Sequence, residues 1–268
     1  AQLTPDDVEA IAAYAYMEML EAGFTTVGEF HYLHHDSAGQ PYADIGEMAA
    51  RIAAASAATG IGLTLLPSLY TYGGFGGAAP NPGQVRFINS TDRFVTLMAR
   101  SRDIVAKLPG AAIGIAPHSL RAVSPEQLRE VAAVFATGPV HIHAAEQTRE
   151  VDDCVANLGA RPVQWLLDEM GIDQRWCLIH ATHMTEDETR RFAQSGAVAG
   201  LCPLTEGSLG DGIFNGEMFL ANQGRFGIGT DSNIQIDAPA ELRQLEYSQR
   251  MKHRGRNLMT LTEGESTG

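Results

Sequence analysis

Residues 138–147, GPVHIHAAEQ, hold the reading on which the fold turns. Residues 139–144, PVHIHA, form a short apolar run that carries two histidines, with Glu146 just past it. As a strand, the run projects His141 and His143 to the same side, because strand side chains repeat every two residues. Two chemistries compete for it. One is an H-x-H metal pair; the other joins His143 to Glu146, a metal ligand beside a proton carrier. His141 lies one layer deeper, where a packed inner histidine is the favoured reading.

Moving outward, six more stretches repeat the pattern of an apolar strand that ends in polar residues. They are TTVGEFHYLHH (25–35), IGLTLLPSLYTY (61–72), AAIGIAPHSL (111–120), RWCLIHA (175–181), AVAGLCP (197–203) and RFGIGTD (225–231). Helical segments lie between them. Thr4 and Pro5 open one that stops at Gly23, and Ser124 with Gln127 and Thr185 with Glu188 have capping-box spacing. Seven βα units imply a parallel sheet covered by helices. No G-x-G-x-x-G follows the first strand, so the open dinucleotide-binding sheet lacks its fingerprint.

The polar residues decide between the remaining folds. Tyr32, His118, His143, His180 and Asp231 fall at the C-terminal ends of different strands. In a TIM-type (β/α)₈ barrel those ends converge on one mouth, where active sites are built. The expectation is therefore an α/β chain, residues 1–268, forming one partial barrel of strands two to eight, with strand one upstream of Ala1.

Composition bounds the function. With 19 basic against 32 acidic residues the formal charge is −13, which argues against nucleic acid or an anionic membrane as partner. No apolar run is long enough to span a bilayer, and the acidic N-terminus is no signal peptide. Cys154, Cys177 and Cys202 have no metal-binding spacing and are expected as buried reduced thiols of a cytoplasmic protein.

Among the polar residues, two histidines and an aspartate at one mouth (His143, His180 and Asp231) favour a metal site. Glu146, past its strand, can then serve as general base and general acid. Arg121, beside His118, suits a carboxylate clamp, although a salt bridge to a neighbouring helix is equally compatible. His31, His34 and His35 match no ligand template, and His183 and His253 carry no functional reading. The Gly/Pro-rich segment 73–83 has the length of a binding loop. Residues 201–216 are expected as a loop near the ligand, with Glu206 and Asp211 as polar contacts whose default role is loop stabilisation.

HIHAAEQ, LIHATHMT and GTDSN, spaced as strands five, six and eight of a barrel, resemble the amidohydrolase superfamily. The H-x-x-E after strand five resembles its deaminase branch. GEFHYLHHD, APHSLRAVSPEQL, CPLTEGSLGDGIF and GTDSNIQIDAPAELRQLEYSQR narrow this to members that release ammonia from linear formimino acids. The resemblance implies hydrolysis of N-formimino-L-glutamate to N-formyl-L-glutamate and ammonia, a step of histidine degradation. It implies His143 and Asp231 as ligands of one divalent ion, Zn²⁺ by the family's habit, and Glu146 as the proton shuttle. His180 then orients the reacting group, Asp231 also takes a proton from the attacking water, and Tyr32, His118 and Arg121 hold the substrate carboxylates. A homodimer is compatible with this reading.

The family's strand-one H-x-H and its small β domain have no counterpart here, so the isolated chain is expected to bind metal weakly and to be inactive. Two alternatives compete. One is a ring deaminase of the same branch, of guanine or S-adenosylhomocysteine type, against which the low aromatic content of 7% weighs slightly. The other is a barrel that binds an acidic ligand without catalysis.

Overall fold

The computed structural model describes residues 2–260. Their internal contacts divide the chain into two compact units, Ala1–His141 and Ile142–Gly268. Among the described residues, no helix is long and apolar enough to cross a membrane.

The first unit begins with α1 (Pro5–Glu21), whose Thr4 and Asp7 complete a capping box. It continues through β1 (Thr26–His31), α2 (Glu47–Thr59), β2 (Gly62–Leu69), α3 (Thr91–Val105), β3 (Ala112–Ile113), β4 (Ala116–Pro117) and α4 (Pro125–Val134). β2 is the centre of the sheet and pairs in parallel with β1, β3 and β4. It is almost wholly buried, as a parallel strand covered on both faces must be. The strand expected over 111–120 is split in two. A side chain at Gly114 would sit 2.3 Å from the Pro139 carbonyl oxygen, so the chain steps aside there before pairing resumes at Ala116.

Three histidines lie at and just past the end of β1. The His31 and His34 rings lie 5.1 Å apart at 86°, and His34 lies 6.1 Å from His35. His34 Nε2 donates to the Ser68 carbonyl at 3.0 Å and His35 Nε2 to the Ile88 carbonyl at 2.9 Å. Burial holds all three below the ordinary histidine range, His31 at about 4 and His34 well below it. They are packing histidines, consistent with their lack of ligand spacing.

β5 (Val140–Ala144) spans the boundary between the units. After it come α5 (Thr148–Leu158), α6 (Pro162–Glu169), β6 (Trp176–His180), α7 (Glu186–Gln194) and β7 (Val198–Leu201). α8 (Pro203–Leu209), α9 (Gly216–Ala221), β8 (Arg225–Ile228) and α10 (Ala238–His253) complete the described elements. The sheet runs β5-β6-β7-β8, and the register is parallel from β6 through β8. Buried Phe219 packs at an angle against Phe192 and edge-on against Phe214, with ring centroids 5.1 and 5.2 Å away. The expected capping boxes at Ser124–Gln127 and Thr185–Glu188 both form.

The segment 201–216 differs from expectation, since it carries α8 and the start of α9 where a loop was read. Pro203 at the first helical position and Gly210 in the left-handed cap conformation give the seven-residue helix a start and a stop. α5 is a further helix the periodicity did not reveal.

The buried histidines set an acid limit on stability. Below pH 6.5 the unfolded chain binds protons that folded His31 refuses, so stability falls as pH drops from 6.5 towards 4. A depression of that size is worth on the order of 3 kcal/mol. Urea denaturation at pH 7 and pH 4.5 is expected to show a larger acid loss in the unmodified protein than in His31→Gln; equal losses would refute the account.

Candidate metal and proton-transfer site

The second unit gathers its polar side chains where its strands end. The backbone there turns sharply, with positive φ at Ala145 (53°), His180 (67°), Ala181 (48°) and Asp231 (44°). Such non-glycine conformations are disfavoured and persist only where surrounding bonds enforce them, most often at functional sites. Those bonds are present. Ala181 N–H donates to the Ala144 carbonyl and His183 N–H to the Ala145 carbonyl, each at 3.0 Å, tying the exit of β6 to the exit of β5.

His180 sits at the centre of the cluster and is 1% exposed. Its Nδ1 lies 3.2 Å from Glu206 Oε1, and its Nε2 lies 3.8 Å from Glu146 Oε1. The His143 ring is 5.6 Å from the His180 ring, tilted by 33°. Donor atoms of His180, Cys202 and Asp231 all lie within 4.8 Å of one another. The structure thus brings together His143, Glu146, His180 and Asp231, four of the residues singled out from sequence.

The electrostatics follow from crowding acids around one imidazole. Burial alone would lower the His180 pKa, but the hydrogen bond to Glu206 and the charges of Glu146, Glu206 and Asp231 outweigh it and raise it. Burial raises the Asp231 carboxyl, partly offset by His180 and reinforced by Glu206 and Asp211. Burial raises Glu241 to about 7; a bond from Leu204 N–H opposes this, while Glu206 and Asp231 add to it. Burial pushes the Cys202 thiol well up, helped by the same carboxylates. An excess of carboxylates beside imidazole nitrogens is the chemistry that a divalent cation such as zinc relieves, so the residues present fit a metal.

Glu146 is aimed by its own turn. Glu150, in the first turn of α5 and 3% exposed, accepts from Ala145 N–H at 3.2 Å and from Glu146 N–H at 3.0 Å. One buried carboxylate therefore clamps two successive peptides after β5. Asp211, 8% exposed, accepts from Gln147 Nε2 at 3.1 Å.

Tyr32, His118 and Arg121 belong to the first unit and also follow strand ends, after β1 and β4. His118 is ringed by aromatics, with centroid distances of 4.5 Å to Tyr70, 5.8 Å to Phe30 and 6.1 Å to Tyr32. Tyr32 also packs edge-on against Phe87 at 4.8 Å. Burial, with the Arg121 charge, holds His118 down at about 3, so it is neutral at pH 7. An overall aromatic content of 7% gave no hint of this local density. His141 is held at about 4 by burial, consistent with an inner packing histidine.

Sequence reasoning undervalued Glu206 and passed over Glu150. The signal for the first was the Pro203-to-Gly210 helix, which turns a supposed loop carboxylate inward. For the second it was the i, i+3, i+4 set Val151, Cys154 and Val155, which marks a helix starting at Thr148 and places Glu150 in its first turn.

Residues 2–263 match the family described as Amidohydrolase family. The chain is 52% identical over 261 residues to a formimidoylglutamate deiminase of Pseudomonas aeruginosa, covering 96% of this chain and 57% of that protein. A crystal structure of an amidohydrolase from Brucella melitensis superposes with a TM-score of 0.97 at 57% identity, covering 98% of this chain and 59% of the other. An adenosine deaminase from Xanthomonas campestris, solved with bound zinc, shares the fold, with a TM-score of 0.74 at 23% identity over 94% of this chain and 53% of its own. The chain thus spans a little over half the length of these relatives.

Glu150→Gln tests the clamp. An amide cannot accept from both peptides, so one buried N–H loses its partner at a cost of about 1–3 kcal/mol. Urea denaturation is expected to show that loss; unchanged stability would show that the clamp carries no load.

Proposed function

This chain belongs to the amidohydrolase family, and from that premise we propose that it carries the reacting groups of an enzyme that hydrolyses N-formimino-L-glutamate. The products are N-formyl-L-glutamate and ammonia, and the reaction is a step of histidine degradation. The observation that carries the reading is the Glu146 carboxylate 3.8 Å from buried His180, with Asp231 and His143 in the same strand-end cluster. A carboxylate able to move a proton beside a site able to hold a cation is the equipment of hydrolytic deamination. The choice of substrate rests on the deiminase of Pseudomonas aeruginosa, 52% identical over 96% of this chain.

We further read the two parallel sheets as parts of one (β/α)₈ barrel, with His143 and Asp231 as ligands of a single divalent ion. Zinc is the ion named with the adenosine deaminase relative. Bound there, the ion would supply Lewis-acid polarisation and a water of lowered pKa.

The protein's own groups do the rest. Glu146 accepts a proton as water adds to the formimino carbon and delivers one to the departing nitrogen, which leaves as ammonia. His180, bonded through Nδ1, presents Nε2 to the reacting group. Asp231, whose carboxyl is raised by burial, is poised to take up a proton from the attacking water. In the first unit, the Arg121 guanidinium forks onto a substrate carboxylate, and Tyr32 and His118 complete the hold. A neutral His118 contributes as a hydrogen-bonding ring rather than as a charge.

Ammonia release from formiminoglutamate by the full-length enzyme, measured beside guanine and S-adenosylhomocysteine, tests the substrate. Formiminoglutamate is expected to be the preferred one, and preference for a ring would overturn the reading. Glu146→Gln is expected to cut kcat by at least about 100-fold while leaving bound metal unchanged. Arg121→Met is expected to lower kcat/KM by about 10- to 100-fold, the factor for a lost charge-assisted bond. An unchanged kcat/KM would remove the clamp.

A further inference from the structure

Glu206 is a buried carboxylate that the proposed reaction does not use. Its side chain is 5% exposed, beside a His180 side chain at 1%. Burying a carboxylate is costly unless its oxygens are partnered, and both partners of Glu206 Oε1 are specific. Cys202 N–H donates to it at 3.0 Å, and His180 Nδ1 lies 3.2 Å away.

The surroundings make that contact rigid. β6 and β7 are neighbours in parallel register, with Ile179 opposite Gly200, so His180 ends its strand level with Leu201. α8 starts two residues after Leu201, and Glu206 folds back from it to the N-terminal Cys202 peptide. A carboxylate can only accept, so Nδ1 must carry the shared proton. With Nδ1 fixed in that way, the ring can direct only Nε2 towards Glu146, at 3.8 Å. Turning the imidazole over would break the bond to Glu206 and take Nε2 away from Glu146.

We propose that Glu206 is the positioning residue for His180, its acceptor oxygen fixing which ring nitrogen faces Glu146 and the reacting group. The proposal rests on the reading of His180 as a participant in the reaction. Glu206 touches no substrate in this account and acts only through the imidazole, as the carboxylates behind histidines of metal sites do.

The test uses the full-length, metal-loaded enzyme in four forms: unmodified, Glu206→Ala, His180→Asn and the double variant. With formiminoglutamate as substrate, Glu206→Ala is expected to lower kcat about 10- to 100-fold while KM and metal content hold steady. In the His180→Asn background the same change is expected to cost nothing further, because its target is gone. Glu206→Gln keeps an acceptor oxygen and should recover much of the loss.

Histidine-labelled protein gives a readout independent of turnover. The hydrogen-bonded Nδ1–H resonance, assigned to His180 by its absence in His180→Asn, should vanish in Glu206→Ala. Retention of that resonance, independent losses in the double variant, or a kcat within about threefold of unmodified enzyme would each overturn the positioning role. If the unmodified enzyme releases no ammonia from formiminoglutamate, the proposed reaction fails, and the resonance still decides the role of Glu206.

Discussion

The second unit depends on one constraint, that its parallel strands end level and the chain must turn at once. In-register pairing of β6, β7 and β8 brings His180, Leu201 and Ile228 to one edge. The chain turns at or soon after these ends, and the left-handed conformations at Ala145, His180, Ala181 and Asp231 mark the turns. A parallel sheet covered by helices must reverse direction at this edge after every strand. Side chains projecting from the turns are therefore concentrated there, whatever their identity. The sequence places histidines and acids at these positions.

Packing several carboxylates at that edge has an electrostatic consequence that net charge alone does not describe. Glu146, Glu206 and Asp231 all act on His180, and their mutual repulsion is met by burial that already disfavours charge. The cluster is stable as a polar network because the peptide groups join it. Glu150 takes two N–H groups at the exit of β5, Glu206 takes one at the start of α8, and Glu241 takes Leu204 N–H. Glu150, Glu206 and Glu241 are thus part of the backbone's own hydrogen-bond accounting. The site is consequently rigid without a disulfide or a long tether.

Much of this was legible in the sequence because it is local. Ser124 and Thr185 announce their helices by side chains three residues apart and Thr4 by the proline after it, and all three caps form. Apolar runs ending in polar residues located the strands, the one over 111–120 being split in two, and the strand-end rule collected His143, His180 and Asp231, with Glu146 just past its strand. What remained hidden depends on contacts distant in sequence. Glu206 and His180 are 26 residues apart, and nothing in TEGS reveals that the glutamate points inward. α5 was passed over because Gln147 before it forms no side-chain cap and so gives no start signal, although Val151, Cys154 and Val155 trace its apolar stripe. The aromatic ring around His118 draws on Phe30, Tyr32 and Tyr70, from three separate segments, so an average over composition could not show it.

The protonated state of the thiols has a bearing on how the molecule meets oxidants and electrophiles. Burial pushes Cys154 and Cys177 up to about 12, and burial, helped by acidic neighbours, lifts Cys202 well above its ordinary value. Attack on an alkylating reagent or a peroxide requires thiolate, and at neutral pH these sulfurs supply almost none. The burial that encloses the strand-end cluster, with its acids, thus also keeps the sulfur beside it chemically quiet. A single cysteine introduced on the surface would be the reactive one, which makes the folded chain a ready scaffold for site-specific labels.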